Sequence, residues 1–151
     1  KIRKEGLNPS SEWRFHQDIY LNKPDAFAIV HAHSPHATAV SAHGKDIPAF
    51  HYMIALAGGN DIKCAKYATF GTKELSQNII EALEKRKGCL MSNHGQVVFG
   101  KNLEQAFELA EEIENICHQY INTIKLGKPK ILSFEEMNKI LEKTKYYKKI
   151  K

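Results

Sequence analysis

The stretch "CLMSNHGQVVFG", residues 89 to 100, constrains the fold more than any other part of the chain. Two apolar runs flank "NHG", and Asn and Gly are the residues that tolerate the positive φ of a tight turn, so the stretch predicts two short strands meeting at a bend, with His94 on it. A second run, "AFAIVHAH", predicts a buried strand that ends in two histidines. Helical signals alternate with these strands. Residues 11 to 22 predict a helix capped by Ser10 or Ser11 and stopped before Pro24. Ser34 and Pro35 open a second helix running to Gly44. "HYMIALAGG" predicts a short helix closed by two glycines, and "DIKCAKYATF" an extended segment. Thr72 caps a helix with Leu75, Ile79 and Leu83 on one face, which Gly88 is expected to end. Asn102 with Gln105 resembles a capping box, and Leu103, Phe107, Ala110, Ile113, Cys117, Ile121 and Ile124 form a helical stripe ending near Gly127. Ser133 with Glu136 starts a C-terminal helix carrying a lysine-rich tail.

At 151 residues the chain suits one domain, 1–151, able to bury a hydrophobic core. No apolar run approaches the roughly 20 residues of a membrane-spanning helix. The three cysteines include no C-x-x-C pair, which points to reduced thiols and a cytoplasmic protein. Net charge is +5, but the basic residues concentrate in "LEKTKYYKKIK" and elsewhere mix with acids, so a solvated surface is a better reading than nucleic-acid binding. No signal peptide opens the chain, and its first residue is Lys, so residues are expected upstream.

The chemistry lies in the histidines. Along a strand, residues i and i+2 face the same way, so His31 and His33 can present imidazoles side by side while Ala32 points to the other face. His94 is the best third ligand, because a turn aims its ring and Gly95 leaves room for close approach. Glu12 could supply a carboxylate. Three imidazoles and a carboxylate give zinc a four-coordinate N/O shell that can open to substrate. His36 is expected to turn away on the following helix, and His16, His43, His51 and His118 have no companion at ligand spacing. Ser10 and Ser11 precede a helix whose first-turn N–H groups and dipole favour an anion such as phosphate; capping alone explains them equally well.

With these residues in place, "NPSSEWRFHQDIYLNKPDAFAIVHAHSPHATAVS", "IPAFHYMIALAGGNDIKCAKYATFGTKELS" and "NHGQVVFGKNLEQAFELAEEIE" resemble the class II (zinc-dependent) sugar-phosphate aldolases, in particular those acting on L-fuculose 1-phosphate. The likeness runs from about Gly6 to the C-terminal helix, with the S-S-E, H-x-H, H-Y-M and N-H-G elements in the family's order and spacing. It implies a three-layer α/β/α fold around a mostly antiparallel sheet and one Zn2+ per subunit on His31, His33, His94 and Glu12. Glu12 would leave the metal to act as base. Tyr52 would be the acid near the aldehyde oxygen, contributed to a neighbouring subunit of a homotetramer; Ser10 and Ser11 would grip phosphate. Phe70 would shape the aldehyde side and Tyr147 would close over the pocket.

The implied reaction is reversible aldol cleavage of a ketose 1-phosphate to dihydroxyacetone phosphate and an aldehyde. Cleaving a carbon–carbon bond beside a ketone leaves negative charge on the ketone fragment, which a Lewis-acidic zinc ion stabilises. The resemblance also implies an upstream region with a Gly- and Asn-containing loop that completes the phosphate pocket. Related scaffolds serve as L-ribulose-5-phosphate 4-epimerase, methylthioribulose-1-phosphate dehydratase and adducin-like interaction modules. Glu12, where the epimerase usually has aspartate, and Tyr52 favour the aldolase, and a full ligand set disfavours the non-catalytic module.

Overall fold

The computed structural model describes residues 8–147, with side chains as far as Thr144. Its elements in chain order are α1 (Trp13–Asn22), β1 (Ala28–Ala32), α2 (Pro35–Ser41), a 3-10 turn (Tyr52–Ala57), β2 (Cys64–Ala65), α3 (Lys73–Ala82), β3 (Gly88–Met91), β4 (Gly95–Gly100), α4 (Leu103–Lys125) and α5 (Phe134–Tyr147). The sheet order is β1-β4-β3-β2, with β1–β4 and β3–β4 antiparallel and β2–β3 parallel.

The period of two along each strand separates two cores. Cys89, Met91, Val97 and Phe99 pack with Phe15 and Ile19 of α1 and Leu75 and Ile79 of α3, and Ile29 joins them. Their neighbours Leu90 and Val98 face the other way, into a core with Ala37 and Val40 of α2, Ile113 and Ile116 of α4 and Met137 of α5. Helices thus cover both faces of a mixed, mostly antiparallel sheet, the α/β arrangement expected. By the same alternation, His31 falls on the face of Ile29, toward α1.

The β3–β4 hairpin forms as its sequence predicts, with Asn93 at φ 56° and Gly88↔Val98 to Met91↔Gly95 in register. Three caps are also as read: Thr72 accepts from Leu75 N–H at 3.2 Å, Asn102 from Gln105 N–H at 2.8 Å and Ser133 from Glu136 N–H at 3.2 Å.

Other expectations are corrected. Helix α1 starts at Trp13 with Glu12 at its N-cap position, and Ser10 Oγ instead accepts from Glu12 N–H at 3.2 Å, so the serines form the turn before the helix. Ser34 occupies the N-cap of α2 without capping it through its side chain, because the first-turn N–H groups of His36 and Ala37 donate to Glu114 instead; the Ser34 hydroxyl accepts from Gln96 Nε2 at 2.8 Å. Gly88 does not end α3, which stops at Ala82; Gly88 lies in β3, where a Cβ would stand 2.6 Å from Ile113 Cδ1 and 2.9 Å from Val98 Cγ1. Within "DIKCAKYATF" only Cys64–Ala65 forms a strand. The buried face of α4 is Ala106, Leu109, Ala110, Ile113, Ile116 and Cys117, while Leu103, Phe107 and Ile124 are exposed.

Candidate metal centre

Antiparallel pairing of β1 with β4 sets His31 opposite Val97, and His33 follows just beyond the strand end. The hairpin brings His94 to the same edge. Gly95 permits the approach: a Cβ there would stand 2.4 Å from the Ala32 carbonyl oxygen and 3.2 Å from His33 Cα. The three rings meet edge to face, with centroids 4.9 Å apart for His31 and His94, 4.8 Å for His31 and His33, and 4.8 Å for His33 and His94. One ring nitrogen from each lies within 4.8 Å of the others, and this is the only such group of potential ligands among the described residues.

The tautomer of His31 follows from its partner. Nδ1 is 2.9 Å from the Gln96 carbonyl oxygen, which can only accept, so Nδ1 carries the proton and Nε2 presents a lone pair. That Nε2 is 3.0 Å from His33 Nε2. Two nitrogens bound tetrahedrally to zinc at about 2.0–2.1 Å would be roughly 3.3 Å apart, close to the spacing found. Burial is the largest cause holding the His31 ring below the usual histidine range; the Gln96 hydrogen bond opposes it, while His94 and His33 add to it. Burial, and then His33, lowers His94 in the same sense. Both shifts favour the neutral imidazole that a metal requires.

Glu12 is not a member of the three-histidine cluster, but its negative charge opposes the lowering at His31 and at His16. Its side chain is only 7% exposed, and its Oε2 is buried without a hydrogen-bond partner. A buried, unpaired carboxylate oxygen is expensive unless a cation compensates it. An orphaned carboxylate oxygen whose charge acts on His31, together with three converging imidazoles, suits a divalent cation.

The other expected site residues are placed less closely. Ser10 and Ser11 are exposed in the turn before α1. The loop bearing Phe70 reaches them, since a Cβ on Gly71 would stand 3.0 Å from the Ser11 carbonyl oxygen; Phe70 itself is 64% exposed. Tyr52 is 53% exposed and lines a groove with Phe50, His51, Leu132, Glu136 and Ile140 that shares no residue with the cluster. The Tyr147 side chain lies outside the described residues.

Sequence reading missed Phe15, whose ring meets His31 edge to face at 5.4 Å, and Gln96, which is 1% exposed and also donates to the Ala110 carbonyl at 3.0 Å. A glutamine inside an otherwise apolar strand was the available signal. His36 turns away as expected, pairing with Glu114 at 2.7 Å and stacking on His118 with centroids 4.2 Å apart.

Fold and cluster together define an α/β protein equipped to hold a divalent metal at one end of its sheet. Residues 1–121 match the profile of the Class II Aldolase and Adducin N-terminal domain family, and the chain belongs to that family. It is 51% identical over 145 residues to the L-fuculose phosphate aldolase of Escherichia coli (strain K12), covering 95% of this chain and 67% of that protein. It is 50% identical over 139 residues to the 5-methylthioribulose-1-phosphate/5-deoxyribulose-1-phosphate aldolase of Rhodospirillum rubrum, covering 92% of this chain and 63% of that one. A solved structure of an L-fuculose 1-phosphate aldolase superposes with a TM-score of 0.89 at 43% identity, covering 93% of this chain and 66% of the other. The chain therefore spans 63 to 67% of the length of these curated relatives. No helix among the described residues is long and apolar enough to cross a membrane.

Proposed function

We propose that the protein is a zinc-dependent aldolase that reversibly cleaves a ketose 1-phosphate of the L-fuculose 1-phosphate type to dihydroxyacetone phosphate and an aldehyde. The observation that carries the reading is the convergence of His31, His33 and His94, together with a buried Glu12 carboxylate whose Oε2 has no partner and whose charge acts on His31. The three imidazoles would hold Zn2+, one per subunit, with Glu12 as the carboxylate of the resting site. When bound, zinc supplies Lewis acidity toward the oxygens next to the bond that breaks.

The chain's own residues handle binding and protons. Ser10 and Ser11, in the turn before α1, bind the phosphate. Glu12 carries the proton at the carbon of the ketone fragment, a role suited to a carboxylate kept in a poorly hydrated position. Tyr52 handles the proton on the aldehyde oxygen: its hydroxyl donates that proton in condensation, and as phenolate it recovers it from the substrate hydroxyl in cleavage. Exposure of Tyr52 in a groove separate from the cluster supports its service to a neighbouring subunit of a homotetramer. Phe70 lines the aldehyde side and Tyr147 closes over it. The reading treats residues 1–151 as one class II aldolase-like domain of a cytoplasmic enzyme.

A second substrate reading is favoured by a specific observation: relatives at 51% and 50% identity are named for different ketose phosphates. Cleavage of L-fuculose 1-phosphate, 5-deoxyribulose 1-phosphate or 5-methylthioribulose 1-phosphate between C3 and C4 releases the same phosphorylated ketone. The candidates differ only in the aldehyde, so specificity is assigned to the Phe70 side of the pocket. The test supplies the zinc-loaded protein separately with L-fuculose 1-phosphate, 5-deoxyribulose 1-phosphate and L-ribulose 5-phosphate and identifies the products. Dihydroxyacetone phosphate with lactaldehyde from the first is expected. Faster release of acetaldehyde from the second would favour the alternative substrate, and an epimer of the third with no dihydroxyacetone phosphate from the first or second would overturn the aldolase reading.

A further inference from the structure

The three clustered histidines are held by different means, His31 through its ring and His94 through its backbone, while His33 has neither of these bonds. His31 is tied to the Gln96 carbonyl, and the His94 N–H donates to the Met91 carbonyl at 3.0 Å within the hairpin. His33 lies past the end of β1 and two residues before α2, so its placement depends on how α2 is held.

Helix α2 has only seven residues, and its first turn is capped from another element. Pro35 has no N–H to satisfy, and Thr38 N–H donates to the Ser34 carbonyl at 2.9 Å. The two remaining first-turn donors both go to one carboxylate on α4: His36 N–H to Glu114 Oε1 at 2.9 Å and Ala37 N–H to Oε2 at 2.8 Å. The His36 ring adds a third bond, Nδ1 to Oε1 at 2.7 Å. Burial alone would raise the Glu114 carboxyl, but these donors and the Ser34 hydroxyl outweigh it and bring it below its ordinary value. Gln96 reinforces the clamp from the sheet, donating to Ser34 Oγ at 2.8 Å and to the Ala110 carbonyl of α4 at 3.0 Å.

Resting on the metal-site reading above, we infer that Glu114 is a positioning residue for His33: by gripping both free N–H groups of the α2 first turn, it fixes the β1–α2 junction so that the His33 imidazole meets those of His31 and His94. Glu114 touches neither the metal position nor the proposed substrate groups. A bidentate carboxylate suits this task, because each oxygen meets a separate backbone donor and two contacts fix orientation as well as distance. Replacement by glutamine would leave one acceptor and turn an NH2 group toward an N–H, repelling one side of the clamp.

The experiment measures Zn2+ affinity, by competition with a chromophoric chelator, in the unsubstituted full chain and in Glu114→Gln, each with His33 present or replaced by alanine. Glu114→Gln is expected to weaken affinity about tenfold when His33 is present, the scale typical of groups that orient a ligand, and by no more than roughly twofold in His33→Ala. The Co2+ absorption spectrum should shift in Glu114→Gln and not between the two His33→Ala proteins. Equal loss in both backgrounds would make Glu114 a general structural residue and overturn the inference, as would unchanged affinity with His33 present. If circular dichroism shows Glu114→Gln unfolded, Glu114→Asp, which keeps both oxygens on a shorter stem, takes its place with a smaller loss expected and the same dependence on His33. Failure of the unsubstituted chain to bind Zn2+ would remove the metal-site reading and this role together, whereas binding that Glu114→Gln leaves intact removes this role alone.

Discussion

At one end of the sheet, three imidazoles are brought together by the backbone of a single chain; at the groove between the 3-10 turn and α5, Tyr52 stands exposed among residues that share nothing with that cluster. The first region is fixed by strand register, a hairpin and a hydrogen bond from the His31 ring to the Gln96 carbonyl. The second offers a phenol on a surface. The difference teaches that a metal site on the three histidines needs only this chain's fold, whereas the role proposed for Tyr52 requires it to meet a site it does not reach through its own groove.

The sharpest way to break that contrast is to remove a ligand. His94→Ala should weaken Zn2+ binding by more than about a hundredfold, beyond the cost of losing a group that merely orients a ligand, as measured by equilibrium competition. Gly95→Ala tests the close approach behind the cluster. Its Cβ would stand 2.4 Å from the Ala32 carbonyl oxygen, so the hairpin must shift, and urea unfolding should show a loss of about 3 kcal/mol. Tyr52→Phe tests the other region: turnover with a ketose 1-phosphate should fall by roughly a hundredfold, while zinc affinity stays within about twofold because the two sites share no partners. A parallel loss of zinc affinity would show that the regions are coupled.

The smallest effect concerns pH. His31 and His94 are held below the ordinary histidine value of 6.5, mainly by burial, so between that value and their own the unfolded chain binds more protons than the folded one. Stability of the metal-free protein is therefore complete above 6.5 and declines as the pH falls through it. The urea midpoint should drop between pH 7.5 and pH 5.5, less so in His94→Ala; an unchanged midpoint would contradict the burial argument.

What could be read in the sequence also divides along this line. The hairpin, the shared face of His31 and His33 and the caps at Thr72, Asn102 and Ser133 were legible because each depends on residues a few positions apart. Glu12 could be named as a candidate carboxylate, but its burial without a hydrogen-bond partner was not legible, because in sequence it looks like any acid at a helix start. The capping of α2 was hidden more deeply: Ser34 has the right chemistry for it, yet the donors go to Glu114, 78 positions away from His36. The stripe on α4 was legible only in its middle. Ala110, Ile113 and Cys117 are buried, but Leu103, Phe107 and Ile124 continue the period and are exposed. A 23-residue helix extends past the elements that cover its central face.

The central claim is that His31, His33 and His94 form one divalent-metal site, and calorimetric titration of Zn2+ into the metal-free chain tests it most directly. The account predicts saturation at one equivalent in the unsubstituted protein and no comparable binding in His94→Ala. Binding that survives removal of His94 undiminished, or no binding at all, would contradict it.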